Sequence, residues 1–328
     1  MDTHRRTLLR LTAAAGGIAT LPATLFAQPA YPSQPVKLVI PFTAGSTTDV
    51  VGRIVGERLQ QSLGQPCVVD NRPGAGGTLG ASAVVNAAAD GHTVLIHSTG
   101  HVANAALYPG LKYDTLNDFT PVTMLASMPN VLVVPPDRGF TSLQDLVRKV
   151  KAGPQKFVYG SSGSGSASHI AGEKFRIATG IEVAHIPYRG TPQALTDLMG
   201  GRLDWFLAPL ALAAPLLQGG KLAALAIRAP ERSPLLPQVP TTAESGFGDA
   251  DHLFWVGMFV AARTPERAVA HLHAETVRAL KTSEVRARLD KLGADAAPMP
   301  QQAFAQQVRE EIVATTALIR RAGIRIDS

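Results

Sequence analysis

Two segments of the chain, about 120 residues apart, repeat one local pattern: an apolar strand, a loop of glycine and hydroxyl residues, and the start of an amphipathic helix. In the first segment 36–41 runs into 42–49, and in the second 157–159 runs into 160–169. Glycine lets a backbone turn tightly and approach a ligand, and the first amides of a helix carry partial positive charge. Such a turn can hold a carboxylate or phosphate without a charged side chain. If the two loops face each other across a cleft, they would clamp a small anion.

Short β-branched runs alternate with helical patterns from about residue 35 onward. The predicted strands are 36–41, 67–70, 93–97, 131–134, 157–160, 182–186, 204–208, 223–227 and 254–261. The predicted helices are 49–63, 78–89, 142–152, 167–179, 192–200, 210–218, 265–281, 284–292 and 301–322. The alternation predicts an α/β fold of mostly parallel sheets covered by helices on both faces. Because nine strands are too many for one ordinary sheet, we divide them between two sheets.

Two connections divide the chain into lobes. The first is a passage near 128–131, and the second is the proline- and leucine-rich segment 229–248, which lacks clear periodicity. We predict a discontinuous N-terminal lobe made from 31–129 and 250–328, and a second lobe made from 130–249. Two crossovers of this kind make a hinge with a cleft between the lobes.

The first 27 residues have the layout of a bacterial export signal. Arg5 and Arg6 precede an apolar, alanine-rich stretch that ends in a small residue, and we predict cleavage after Ala27. The arginine pair fits the twin-arginine pathway and equally a general secretory signal, so the route stays open. Threonine, glycine and proline interrupt the stretch, which argues against a membrane anchor. We therefore expect a periplasmic protein.

The composition excludes several classes of protein. Of the 328 residues 45% are hydrophobic and 17% are charged, which predicts a full core rather than disorder. The formal charge of +6 is spread along the chain, so it suits an anionic ligand and argues against a nucleic-acid partner. The single cysteine, Cys67, cannot form an internal disulfide and is interpreted as a small core residue.

We predict no cofactor and no metal site. The glycine-rich run 74–77 lacks the last glycine of the dinucleotide motif G-x-G-x-x-G, and we interpret it as a tight turn before a helix. His97 and His101 lie on either side of a strand end. His271 and His273 face different sides of a helix, so neither pair has the spacing of a metal site.

A series of ordered motifs is similar to one known family, the Bug receptors, which are the extracytoplasmic solute-binding proteins of tripartite tricarboxylate transporters. The most specific is Asn-Arg-Pro-Gly-Ala-Gly-Gly at 71–77. Others are Val-Ile-Pro-Phe at 39–42, the loop 160–169, Ile-Pro-Tyr-Arg-Gly at 186–190, Gly-Arg-Leu-Asp at 201–204, Leu-Pro-Gln-Val-Pro-Thr at 236–241 and Trp-Val-Gly at 255–257. The resemblance covers essentially the whole chain after the export signal.

The resemblance implies a two-lobe periplasmic-binding-protein fold, type II-like, with two crossover connections and an interlobe cleft. It implies a receptor that closes over a small mono- or dicarboxylate for uptake or sensing, with membrane transporter subunits as partners. Backbone amides of the two loops would hold the carboxylate with the help of water. We expect a monomer that is not an enzyme.

The resemblance also assigns the ligand-binding residues. They are Phe42, Thr43, Ala44, Gly45, Thr47 and Thr48 in the first loop, and Gly163, Ser164, Gly165, Ser166, Ser168 and His169 in the second. Tyr188 and Arg189 join them because arginine can bind an anion directly, although a solvated or interlobe position for Arg189 is equally compatible with the sequence. Three features depart from the family pattern, namely Ser46 in place of a usual glycine, a missing proline at 104–106, and Arg263.

Some residues allow two interpretations. His169, at a helix start, is either a donor in the cleft or a residue that packs the loop. Asp49 is either a brace for the first loop or a group that recognises a ligand amine. The alternative function is a periplasmic serine hydrolase that uses Ser164 or Ser166 with His169, although the segment lacks a G-x-S-x-G match. A nonspecific interaction protein is a third alternative.

Overall fold

The computed structural model describes residues 31–153, 156–248 and 253–326, and the predicted export signal lies outside these residues. The strands are β1 (Val36–Ile40), β2 (Cys67–Asn71), β3 (Thr93–Ser98), β4 (Phe119–Met128), β5 (Asn130–Val134), β6 (Val158–Ser161), β7 (Ala184–Pro187), β8 (Trp205–Pro209), β9 (Ala223–Arg228), β10 (Phe254–Ala261) and β11 (Asp295–Ala296). The α-helices are α1 (Thr47–Leu63), α2 (Thr78–Val85), α3 (Gly100–Leu107), α4 (Leu143–Ala152), α5 (Ala167–Thr179), α6 (Thr191–Met199), α7 (Leu210–Gln218), α8 (Glu266–Leu280), α9 (Ser283–Asp290) and α10 (Gln301–Ala322).

The strands form two separate sheets, each mixed in direction. The first has the order β11-β4-β10-β3-β1-β2, and the second has the order β7-β6-β8-β5-β9. β1 pairs in parallel with β2 and β3, and β6 pairs in parallel with β7 and β8. By contrast, β10 and β5 run antiparallel to both of their neighbours. The sheets are therefore less parallel than predicted, because the first strand after each passage between sheets runs against the strands beside it.

The chain passes between the two sheets twice. β4 ends in the first sheet at Met128, and β5 begins in the second at Asn130. The return lies between Arg228 at the end of β9 and Phe254 at the start of β10. This is the two-lobe α/β fold with two crossover connections that the sequence predicts, while the assignment of every residue to one lobe or the other stays a prediction.

Three of the observed elements, β4, α3 and β11, are absent from the sequence prediction. β4 contains Pro121 and several hydroxyl residues, which obscure the alternation of a strand. α3 starts at Gly100 and has no side-chain cap at its N-terminus, and β11 has only two residues. The predicted elements match observed ones, and the largest difference at an end is in α2, which stops at Val85 instead of residue 89.

Each sheet is covered by apolar side chains on both faces. In β1, Leu38 and Ile40 pack in a buried cluster with α1, α8 and α9, while Val39 packs on the opposite face with Phe304 of α10. Successive residues of β5 divide between two clusters in the same way. Side chains alternate between the two faces of a strand. Burial on both faces therefore explains why these strands are apolar at most of their positions.

The C-terminal helix α10 contacts both lobes. Near its start, Phe304 is fully buried, with its ring 5.5 Å from that of Trp255 and 5.4 Å from that of Phe259. Near its end, Ile319 packs in a cluster with residues of α3 and with Ile170 of α5. Among the described helices, none combines the length and the apolar character needed to cross a membrane.

Replacing Phe304 with alanine is expected to lower the free energy of unfolding by about 3–5 kcal/mol, because it leaves a cavity between α10 and the first sheet. Val313→Ala on the same helix is the matched control, since Val313 is 70% exposed and its loss is expected to change stability by less than about 0.5 kcal/mol. Urea unfolding of the two variants and the wild type measures both effects. Equal losses would show that α10 is not anchored through Phe304.

Candidate ligand-binding site

The two loops predicted from the sequence form the same kind of helix start. Ser46 caps α1 and Ser166 caps α5, and each serine Oγ accepts a hydrogen bond at 3.3 Å from the amide three residues later, that of Asp49 or His169. The first amides of a helix have no acceptor inside it, so each cap satisfies the third amide and leaves the first two directed out of the helix end. α1 and α5 therefore begin with matching sets of N–H groups.

The glycine before each cap is held by the side chain four residues later. Gly45 N donates to Asp49 Oδ2 at 2.9 Å, and Gly165 N donates to His169 Nδ1 at 3.1 Å. The φ angles of the two glycines are +77° and +78°, a left-handed conformation that favours glycine. Because both amides already donate inside their loops, they are not available to bind a ligand.

Asp49 is the centre of the bonds that shape the first loop. Its carboxylate also accepts from Arg53 Nε at 2.9 Å and from Asn71 Nδ2 at 2.8 Å, and Asn71 Nδ2 lies 3.0 Å from the Phe42 carbonyl. Burial alone would raise the pKa of Asp49, but the bonds from Arg53, Gly45 and Asn71 outweigh it and lower the pKa. These contacts favour the interpretation of Asp49 as a loop brace.

The serines of the second loop bond largely to their own segment. Ser168 Oγ accepts from Ser162 N at 2.9 Å and lies 3.2 Å from Ser166 Oγ. Gly163 N donates to Ser161 Oγ at 3.1 Å. These hydroxyl groups fix the loop conformation, and the Ser166 hydroxyl in addition serves as the cap of α5.

A cavity of about 1000 Å³ is lined by residues of both lobes. Among the predicted ligand-binding residues, those that line it are Phe42, Gly163, Ser164, Tyr188 and Arg189. Lining residues that the prediction missed come from 73–77 after β2, from Tyr108 after α3, and from Gln193 in α6. The pattern of strands and helices did not predict a site residue at Tyr108, because it did not predict α3.

The glycine-rich run 74–77 is a tight turn, as predicted, and it is also part of the cavity wall. Gly76 has φ +60°, and a Cβ placed on it would lie 2.3 Å from the Ser164 carbonyl oxygen and 3.0 Å from the Tyr108 hydroxyl. The two lobes therefore touch at this point through backbone atoms. A glycine is needed at Gly76 for both its conformation and the close approach.

The start of α3 makes a second contact between the lobes. A Cβ on Gly100 would lie 2.8 Å from Ala167 N, and one on Gly165 would lie 3.3 Å from Asn104 Oδ1. The Tyr108 hydroxyl donates to the Ser164 carbonyl at 2.7 Å. The N-terminal end of α5 is thus enclosed by α3 of the other lobe.

The remaining predicted residues do not line the cavity; they are Thr43, Ala44, Gly45, Thr47, Thr48, Gly165, Ser166, Ser168 and His169. Thr43 approaches α6, since a Cβ on Gly190 would lie 2.1 Å from Thr43 Oγ1. Thr47 and Thr48 are each 2% exposed. The Thr47 hydroxyl is buried and has no hydrogen-bond partner among the described residues.

Two pairs of histidines lie near the loops, and of these four residues His185 is half-buried while the others are buried. The His169 ring stacks on the His185 ring at 4.2 Å, and His185 Nε2 is 2.6 Å from Ser161 Oγ. Burial, together with the nearby His169, lowers the pKa of His185 to about 3. Burial also lowers the pKa of His97 and that of His101, whose rings are 4.9 Å apart. Across the ranges that the structure describes, no three side chains are grouped as a metal site requires.

Two lobes that enclose a cleft define the fold of a periplasmic binding protein, and solved structures share it. MatC from Rhodopseudomonas palustris, solved with bound malate, is 36% identical, with a TM-score of 0.85 over 88% of this chain and 100% of that chain. A second R. palustris protein, solved with adipate, is 34% identical, with a TM-score of 0.86 over 90% of this chain and 99% of that chain.

The family follows from sequence comparison. The model of the tripartite tricarboxylate transporter family receptor matches residues 51–324. The protein BugT of Bordetella pertussis is 33% identical over 301 residues, which is 90% of this chain and 91% of BugT. The chain belongs to this receptor family, and its resemblance to the Bug receptors is confirmed. Because the family and the solved neighbours are solute-binding proteins and not enzymes, the serine hydrolase alternative has no support.

Replacing Asp49 with asparagine is expected to change how stability depends on pH. The folded pKa of Asp49 lies below its ordinary value of 3.8, so the carboxylate stabilises the fold above that pH and its contribution is lost as the pH falls through the folded pKa. Denaturant unfolding between about pH 2 and pH 7 should show the wild type more stable than Asp49→Asn at neutral pH, with the difference shrinking below about pH 4. A difference in unfolding free energy that stays constant over that pH range would contradict the interpretation of Asp49 as a charged loop brace.

Proposed function

We propose that this chain is an exported receptor that closes its two lobes over a small mono- or dicarboxylate and presents it to membrane transporter subunits. The observation that carries this proposal is the pair of matching helix starts, capped by Ser46 and Ser166, in the loops beside the interlobe cavity. Helix N-termini attract anions through their amides and their partial positive charge. Many neutral donors are required because a buried carboxylate is costly unless its oxygens are paired.

The donors in this proposal are the first two amides of each helix. They belong to Thr47 and Thr48 in α1 and to Ala167 and Ser168 in α5, positions that have no acceptor within the helix. These four residues are buried behind the cavity lining, so the proposal requires a carboxylate to pass beyond Phe42 and Ser164 to reach their amides. The buried Thr47 hydroxyl, which has no partner in the described part of the chain, adds a donor at the first of these starts. The loop glycines shape the turns and do not themselves donate to the ligand.

The cavity sets the chemical class of the ligand. Phe42 and Ser164 line it and lie in the two loops that lead to α1 and α5. Tyr108 and Tyr188 supply aromatic walls, and Arg189 is the one charged side chain among the described lining residues. One carboxylate held by the helix starts and a second near the exposed Arg189 would account for a dicarboxylate. A tricarboxylate would leave a third charge without a partner.

The remaining parts of the proposal concern the identity of the ligand, the location of the receptor and the motion of its lobes. MatC and the second R. palustris protein were solved with malate and with adipate, which are both dicarboxylates. We place the receptor in the periplasm after loss of the signal at 1–27, as a monomer whose lobes, 31–129 with 250–328 and 130–249, move about the two crossovers. Its ligand favours the closed form only as far as it binds that form more tightly than the open one.

Saturable binding of a carboxylate is expected to raise the melting temperature of the purified protein. Malate or adipate at a hundredfold excess over its dissociation constant should stabilise the fold by about 2.7 kcal/mol. Dimethyl adipate, which has the same chain without charge, is the control and should give no shift. Stabilisation by the ester as well as the acid, or by no mono- or dicarboxylate in a broad screen, would contradict the proposal.

Gly76→Ala is expected to weaken carboxylate binding at least tenfold, which is about 1.4 kcal/mol, because the added Cβ meets the Ser164 carbonyl when the lobes are closed. Gly64→Ala is the matched control: its φ of +65° carries a similar backbone strain, and nothing lies within 4 Å of the added Cβ. Titration calorimetry with the ligand found above compares the two variants. Equal affinities would mean that the ligand-bound form does not use this contact.

A further inference from the structure

The two loops that lead into α1 and α5 share a pattern of hydrogen bonds, but the residue that accepts the glycine amide differs between them. Each has a left-handed glycine, a serine cap, and a side chain four residues after the glycine that accepts the glycine amide. That side chain is the carboxylate of Asp49 in the first loop and the imidazole of His169 in the second. Because the other hydrogen bonds of the two loops repeat so closely, the exchange of a carboxylate for an imidazole indicates a functional difference and not merely a difference in packing.

The bond from Gly165 fixes the state of the imidazole. An amide N–H is always a donor, so the Nδ1 atom of His169 has to offer a lone pair. A protonated ring carries N–H on both nitrogens and could not accept this bond. His169 therefore acts in this loop as a neutral acceptor with the proton absent from Nδ1.

We infer that His169 is a positioning residue, the neutral counterpart of Asp49, which accepts the Gly165 amide and thereby holds the Ala167 and Ser168 amides where they receive the ligand. This inference rests on the proposed function. It assigns His169 an indirect role in place of direct ligand contact, because its Nδ1 atom already accepts from the Gly165 amide. The imidazole acts on the ligand through the backbone of Gly165.

Charge explains why the two braces differ. The carboxylate of Asp49 is matched by Arg53, whose Nε lies 2.9 Å away and whose side chain is 47% exposed. His169 is 3% exposed and lies at the start of α5, which α3 of the other lobe encloses. A carboxylate at His169 would repel a bound anion, whereas a neutral imidazole accepts the bond without adding charge.

The groups around His169 keep its ring in place. His185 of β7 stacks on it, and Tyr159 of β6 lies 4.9 Å beyond the His185 ring. One turn further along α5, Glu173 accepts from the Tyr159 hydroxyl at 2.6 Å and pairs with Arg176. This packing restricts the imidazole and favours a single orientation toward Gly165.

The test compares His169→Ala, which removes the acceptor, with His169→Asn, whose side-chain oxygen occupies the position of Nδ1. Three measurements are made at neutral pH on the full chain after export processing: the ¹⁵N shifts of the His169 imidazole, hydrogen exchange of the Gly165 amide without ligand, and affinity for malate and adipate. The Gly45 amide, held by Asp49 in the other loop, is the internal reference for exchange. Thermal melting confirms that each variant is folded.

We expect the wild-type imidazole to show an unprotonated Nδ1. His169→Ala should speed exchange at Gly165 at least tenfold while Gly45 is unchanged, and should weaken carboxylate binding at least tenfold. His169→Asn should keep both quantities within about threefold of the wild type, which is less than 1 kcal/mol.

The inference is overturned if Nδ1 carries the proton, if Gly165 exchange is the same in all three proteins, or if His169→Asn binds as weakly as His169→Ala. The last result would mean that the ring itself contacts the ligand. The imidazole and exchange measurements need no ligand. Failure of malate and adipate to bind wild type would therefore count against the proposed function alone.

Discussion

The structure depends on how the amides at two helix starts, which have no acceptor inside the helix, are satisfied. At α1 and α5, a left-handed glycine turns the chain, a serine caps the third amide, and a side chain in the first turn accepts the glycine amide. Each of these bonds uses a donor that could otherwise have bound a ligand. What remains is the pair of amides at the first two helical positions, because the helix offers them no acceptor. The internal hydrogen bonds therefore fix the conformation of each loop and leave only a few backbone amides available to a ligand.

The contacts between the lobes are made largely by backbone. Gly76 meets the Ser164 carbonyl, Gly100 meets the amide of Ala167, and Gly190 meets the Thr43 hydroxyl, each at a distance that a Cβ would not allow. Contacts of this kind are short-ranged and bury little apolar area. They therefore determine how closely the lobes fit together more than they stabilise the association of the lobes. Closure of the lobes around a ligand is then limited by steric fit, while the ligand supplies the favourable interactions.

Local sequence patterns predicted most of the strands and helices because burial on both faces makes the core strands largely apolar. They missed α3, which begins at Gly100 without a side-chain cap, and with it Tyr108. The motif resemblance pointed to these two loops, but it could not show which of their amides donate within the loops themselves. That depends on Asp49 and His169 reaching back four residues, and on tertiary contacts such as Asn71 with Asp49. The glycine-rich sequence at 74–77 predicts a turn by itself. Its second role, as part of the cavity wall, arises only from its packing against the other lobe.

The proposed site of neutral donors also has consequences for ligand release. The acidic brace Asp49 is matched by Arg53. The pKa of the half-buried His185 is lowered, so its ring is neutral, and the one charged lining residue among those described, Arg189, is exposed. No buried cation in the described lining would therefore hold an anion after the lobes separate. Once water reaches the helix ends, the attraction of each dipole for a charge falls to about 0.3–1 kcal/mol. In the proposed receptor, opening of the lobes is then sufficient to release the ligand.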